Sequence, residues 1–92
     1  MKRKPIAIPA DPTDPEDRDV TTEGLKRGQR ARLIRMTRTE LGLTQTEFAQ
    51  RFQVPVGTLR DWEQARVMAP DFAIAYIKVI AQHPDMVAKA VA

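Results

Sequence analysis

The 92-residue chain has no cysteine, one histidine, one tyrosine and one tryptophan, and only 5% of its residues are aromatic. Without cysteine there is neither a disulfide scaffold nor a thiolate metal site, a composition that fits a reducing cytosol. A single histidine removes most acid–base and metal-ligand constellations, so we expect no enzyme, no metal and no cofactor. No stretch approaches the ~20 apolar residues of a membrane span. Lys2-Arg3-Lys4 has no apolar segment behind it and is not a secretion signal, so we expect a cytoplasmic protein.

What is present is charge, and it is segregated. Residues 1–23 hold four basic and six acidic groups, whereas residues 24–92 hold eleven basic and six acidic groups. Four of the seven prolines fall at Pro5, Pro9, Pro12 and Pro15, among the acids Asp11, Asp14, Glu16, Asp17 and Asp19. Proline at that spacing forbids helix and central strand, and so few apolar residues cannot offset the entropy of ordering. Residues 1–20 therefore read as an extended or disordered tail, and residues 21–92 as the folded domain. The run Lys26 to Arg38 is the opposite in character, with six bases (Lys26, Arg27, Arg30, Arg32, Arg35, Arg38) and no acid.

No segment alternates convincingly as a strand. Thr21-Thr22 before Glu23 can cap a short helix, weakened by Gly24 and Gly28. From Arg30 the spacing Ile34, Thr37, Leu41 keeps one face apolar, and Gly42 stops it. Thr44 with Glu47 three residues on forms a capping box for a helix over about 45–52. That helix turns Phe48, Ala49 and Phe52 inward. Pro55 suits the first turn of a third helix, with Leu59, Trp62 and Val56 on its buried side. Pro70-Asp71 opens a fourth helix carrying Phe72, Ile74, Ala75, Ile77, Val79 and Ile80. Pro84-Asp85 opens a short fifth with Met86, Val87 and Val91. Links of two to four residues make this an all-α, compact five-helix bundle. Only Gln53-Val54 joins the second and third helices, which is the helix-turn-helix geometry.

Leu43-Thr44-Gln45-Thr46-Glu47-Phe48-Ala49-Gln50-Arg51-Phe52-Gln53-Val54, followed by Pro55-Val56-Gly57-Thr58-Leu59-Arg60-Asp61-Trp62-Glu63, resembles the Cro/repressor-type helix-turn-helix family from about Ile34 to Ala65. The resemblance implies that the third helix enters a DNA major groove. It implies that Gln45 meets a phosphate or an adenine edge, and that Glu63 pairs, partly buried, with Arg38. The residue chemistry agrees. Ala49 is small where the third helix must approach, and Val54 plugs the turn into the core. Thr44 caps a helix whose N–H groups can meet a phosphate. Leu59 and Trp62 belong to the core. Two positions depart from the pattern, since Gln53 and Ala65 stand where glycine is usual. Pro55, Val56 and Gly57 cannot make paired base contacts, although Val56 can pack a thymine methyl and Gly57 permits close approach. Thr58, Arg60 and Asp61 are left as polar readers, Arg60 being suited to guanine. Arg35 and Arg66 are expected to support DNA binding alongside them.

The stretch Pro55 to Gln64 followed by Pro70-Asp71 and His83-Pro84 resembles HigA-like antitoxins. The acidic Asp11 to Glu16 stretch resembles the toxin-facing segments of antitoxins that oppose RelE- or BrnT-like ribonucleases. The implied function is a DNA-binding antitoxin that represses its own operon and neutralises a small basic ribonuclease toxin. Ile6, Ile8, Asp11, Asp14, Glu16, Asp17, Asp19 and Val20 are its candidate toxin contacts. An acidic strip suits the basic face by which such a toxin binds RNA. The alternatives are a stand-alone phage- or plasmid-type repressor, or an RNA-binding or scaffold protein that reuses the fold, which the scarcity of exposed aromatics disfavours. Operator DNA calls for a homodimer, expected through the apolar residues Ile77, Ile80, Val87 and Val91 of the last two helices.

Overall fold

The computed structural model describes residues 21–92; the expected tail and its candidate toxin contacts, Ile6 to Val20, lie outside the described residues. Five helices follow in order: α1 (Thr22–Glu40), α2 (Gln45–Phe52), α3 (Val56–Glu63), α4 (Asp71–Gln82) and α5 (Pro84–Val91). No strand occurs among the described residues. The described residues are all-α, as their patterning predicts.

Thr21 starts α1, its hydroxyl accepting from the Gly24 N–H at 2.9 Å. The expected short, weakened first helix is instead the opening of a continuous 19-residue one. Each glycine costs about 1 kcal/mol relative to alanine, and packing of the second half offsets that. Ala31, Ile34 and Thr37 are buried there, and the Thr37 hydroxyl is satisfied by the Leu33 carbonyl at 2.9 Å. Gly42 ends the segment at φ +72°, a conformation that glycine adopts without a Cβ penalty.

The core is closed by Ile34, Phe48, Phe52, Leu59, Ile77 and Ile80, each contributing about 1.5–3 kcal/mol by burial. Phe48 and Phe52 meet with ring centroids 4.8 Å apart at 53°. Helix α1 runs across α3 and α4, while α2 packs on α3 and α5. The Tyr76 hydroxyl donates to the Phe52 carbonyl at 2.7 Å, tying α4 to the end of α2. Burial raises its phenol above the usual tyrosine pKa.

Two expectations are corrected. The link between α3 and α4 is seven residues, 64–70, not two to four. It stays close because the Asp61 carbonyl accepts from the Arg66 N–H at 2.9 Å and Arg30 donates to the Ala69 carbonyl at 2.5 Å. Moreover, Ile77, Ile80 and Val87 do not form a dimer face: they are 1%, 0% and 7% exposed, and Val91 packs against the same cluster. A small bundle needs these side chains for its own core. The apolar groups left outside are others, Phe72 above all at 75% exposed.

Candidate nucleic-acid interface

The turn between α2 and α3 is built by a residue that the local sequence does not favour there. Gln53 sits at φ 58°, ψ 46°, costing on the order of 1 kcal/mol for a side chain with a Cβ. Its side-chain amide donates to the Gln50 carbonyl at 3.2 Å, a contact that glycine could not supply. Val54 follows at 8% exposed, with its N–H on the Ala49 carbonyl at 3.0 Å. Ala49 is itself buried. The crossing of α2 and α3 is therefore fixed by a short turn, a small residue and one apolar plug.

At the start of α2 the capping box is complete. The Thr44 hydroxyl accepts from the Glu47 N–H at 3.1 Å, and the Glu47 carboxylate accepts from the Thr44 N–H at 2.9 Å. Thr44 is thereby used up, leaving the N–H groups of Gln45 and Thr46 as the donors that a phosphate can take. Helix α3 begins differently, with Pro55 at its cap position and no side-chain cap. Gly57 lies in its first turn, where an added Cβ would meet no atom within 4 Å.

Behind these ends lies a continuous chain of polar contacts. Glu63 is 4% exposed and accepts from Arg38 twice, at 2.7 Å (Nε) and 2.9 Å (Nη2). Arg38 also donates to the Leu43 carbonyl at 2.9 Å. Hydrogen bonding to Glu63, reinforced by its charge and opposed by burial, raises Arg38 above the usual guanidinium pKa. This is the expected staple between α1 and α3. The same carboxylate accepts from the Gln45 amide at 3.1 Å, and the Gln45 carbonyl accepts from Arg60 Nε at 3.3 Å. Arg60 is exposed and held by its inner nitrogen, and its two terminal nitrogens make no hydrogen bond among the described residues.

The other candidate residues divide. Gly57, Arg60 and Asp61 share one arc of α3, at helical spacing, and Gln64, which sequence reasoning passed over, completes it one turn on. Asp61 and Arg66 pair with each other, Arg66 reaching Oδ1 at 3.0 and 2.9 Å. Arg66 also donates to the Gln64 side chain. Val56 is half-buried against the core, and Thr58 lies on the opposite flank of α3 from Gln45. Trp62 packs on the core cluster, and Leu59 is fully buried. Arg35 donates to the Glu63 carbonyl at 3.0 Å, closing the end of α3. Of the basic run, Arg30, Arg35 and Arg38 thus hold the fold together.

Neither the curated proteins nor the solved structures compared with the chain gave a match. A family model described as helix-turn-helix matches residues 34–79, half of the chain, from the middle of α1 into α4. The match spans the turn, the capped α2 and the exposed arc of α3, and the chain belongs to the helix-turn-helix family of DNA-binding transcription regulators.

Proposed function

We propose that the chain is an autoregulatory antitoxin, in which residues 21–92 read operator DNA as a homodimer and residues 1–20 neutralise a small, basic, RelE- or BrnT-like ribonuclease. The DNA half rests on one observation, the relay from Arg38 through Glu63 and Gln45 to Arg60. A buried carboxylate orients Gln45, and Gln45 holds Arg60 by Nε. The exposed fork matches the O6 and N7 acceptors of guanine. Gln45 and Thr46 N–H groups, with Arg66 beside α3, supply phosphate contacts that fix the helix on the duplex. Gly57 and Val56 lie along the groove floor, where one admits close approach and the other meets a thymine methyl.

The antitoxin half rests on the charge division of the sequence. A strip of acids interspersed with Ile6, Ile8 and Val20 complements a basic RNA-binding face, while the net positive remainder serves the duplex. The DNA reading is tested by selecting duplexes from a random library with the wild type and with Arg60→Ala. The variant is expected to bind about 1–3 kcal/mol more weakly and to lose preference at one guanine. Gln45→Ala should weaken binding and relax preference at that same base pair, because it releases Arg60. An unaltered base preference in both variants would refute the assignment of Arg60 as the reader. For the toxin half, the full chain is co-expressed with the product of the adjacent gene. Growth arrest that this chain does not relieve speaks against neutralisation.

A further inference from the structure

Helix α4 carries two apolar faces. Ala73, Ile77 and Ile80 enter the core, whereas Phe72, Ala75, Tyr76 and Val79, at positions i, i+3, i+4 and i+7, line a groove on the other side. The groove has a volume of about 600 Å³. Its far wall is the α2–α3 turn and the outer flank of α3, at Pro55, Thr58 and Trp62. No charged side chain lines it, and depletion of charge marks the centre of protein interfaces. On its rim stands Phe72, the most exposed large apolar side chain of the described residues at 75%.

We propose that this groove is the contact between two copies of the chain, each inserting Phe72 into the groove of the other. A two-fold contact requires one patch to be its own complement, with projection and hollow together on the same surface. The described surface supplies both within one helix length: a ring that water does not suit, and a charge-free hollow larger than that ring. The position also matters. Arg60 and Gln45 occupy one flank of α3 and the groove the other. A second copy seated there puts the two reading helices on either side of the symmetry axis without covering either. The groove and the Phe72 ring together offer far less surface than the ~800 Å² per partner of a stable interface. The contact therefore assembles on DNA, where two adjacent half-sites supply the remainder. The inference rests on the DNA-binding reading only for that last step.

The test uses the full chain with a palindromic duplex selected from a random library, and with the same duplex cut to one half-site. Wild-type protein is expected to load the palindrome cooperatively, the second copy binding about tenfold or more tighter than the first. Phe72→Glu, at a position open to water, should keep the melting temperature and the half-site affinity and lose the cooperativity. Val79→Lys, on the same stripe, gives the same reading should Phe72→Glu unfold. Cooperative loading by both variants at wild-type strength overturns the groove contact and leaves the DNA reading standing. If no duplex is selected, the DNA reading fails, and sedimentation at submillimolar concentration decides. Self-association of the wild type that Phe72→Glu lacks then supports the contact, and monomers of both overturn it. Replacing Ile6 and Ile8 by Asp in the full chain tests a rival occupant. A gain in cooperativity from that change assigns the groove to the chain's own N-terminal segment and overturns the proposal.

Discussion

Glu63 concentrates three donors on one buried carboxylate, two from Arg38 and one from Gln45. Its position fixes how α1 and α3 cross and also where Arg60 is aimed. Removing one partner of such a pair leaves a charge with little water, and costs about 3 kcal/mol or more. Arg38→Ala is expected to lose about that much in urea denaturation, and with it the specificity of binding in the folded fraction. A loss well under 1 kcal/mol would mean that water has taken the place of the guanidinium. Asp71 is the contrasting case, a fully exposed acid. Its hydrogen bond to Arg30, together with the charges of Arg30 and Lys26, holds its carboxyl below the usual value near 3.8. A lowered carboxylate pKa stabilises the fold above the ordinary value and loses that contribution as pH falls through the lowered one. Asp71→Asn should therefore lower stability slightly at neutral pH and flatten its acid dependence. Melting curves taken from neutrality down through the carboxylate range check both parts.

At the scale of elements, backbone conformation decides where helices stop. Ala65 follows α3 at φ 59°, where an L side chain is strained. Ala65→Gly is expected to stabilise by about 0.5–1 kcal/mol, the relieved strain exceeding glycine's greater unfolded freedom. An unchanged midpoint in urea would show that the loop relaxes around alanine. The positive φ of both Gln53 and Ala65 could be expected from the sequence, because each replaces the glycine usual in helix-turn-helix chains. So could the capping box at Thr44 and Glu47, the plug at Val54 and the Arg38–Glu63 staple, all local or carried by the resemblance. What escaped was tertiary. The apolar residues of α4 read alike, yet Ile77 is buried and Phe72 exposed, since only the pairing with α1 and α5 selects a face. The engagement of Arg30 and Arg35 with backbone carbonyls 39 and 28 residues away likewise has no local signal. Nor has the pairing of Asp61 with Arg66, which depends on how the link after α3 folds back.

Taken as a whole molecule, the chain joins two charge regimes, and the proposed function requires that each serve one partner. Asp11, Asp14, Glu16, Asp17 and Asp19 precede a body that carries eleven bases against six acids from residue 24 onward. A duplex attracts that body by releasing counterions, so DNA affinity falls steeply with salt. A toxin held by apolar anchors and complementary charge depends less on released counterions, since burial of Ile6, Ile8 and Val20 is little affected by screening. Replacing the five acids by Asn or Gln within the full chain should therefore separate the activities. Half-site affinity is expected to stay equal or rise, because negative charge near the phosphates is removed, and the salt slope of DNA binding should change little. Toxin neutralisation should fall sharply, since the complementary strip is gone while the apolar anchors alone give a weak and poorly oriented contact. The measurement pairs a salt series of DNA titrations with growth of cells that co-express the variant and the adjacent gene product. Cells that grow as well with the neutralised chain as with the wild type make the acids a solubilising leader. In that case the stand-alone repressor becomes the better reading, and the body of the protein, with its relay from Arg38 to Arg60, carries the whole function.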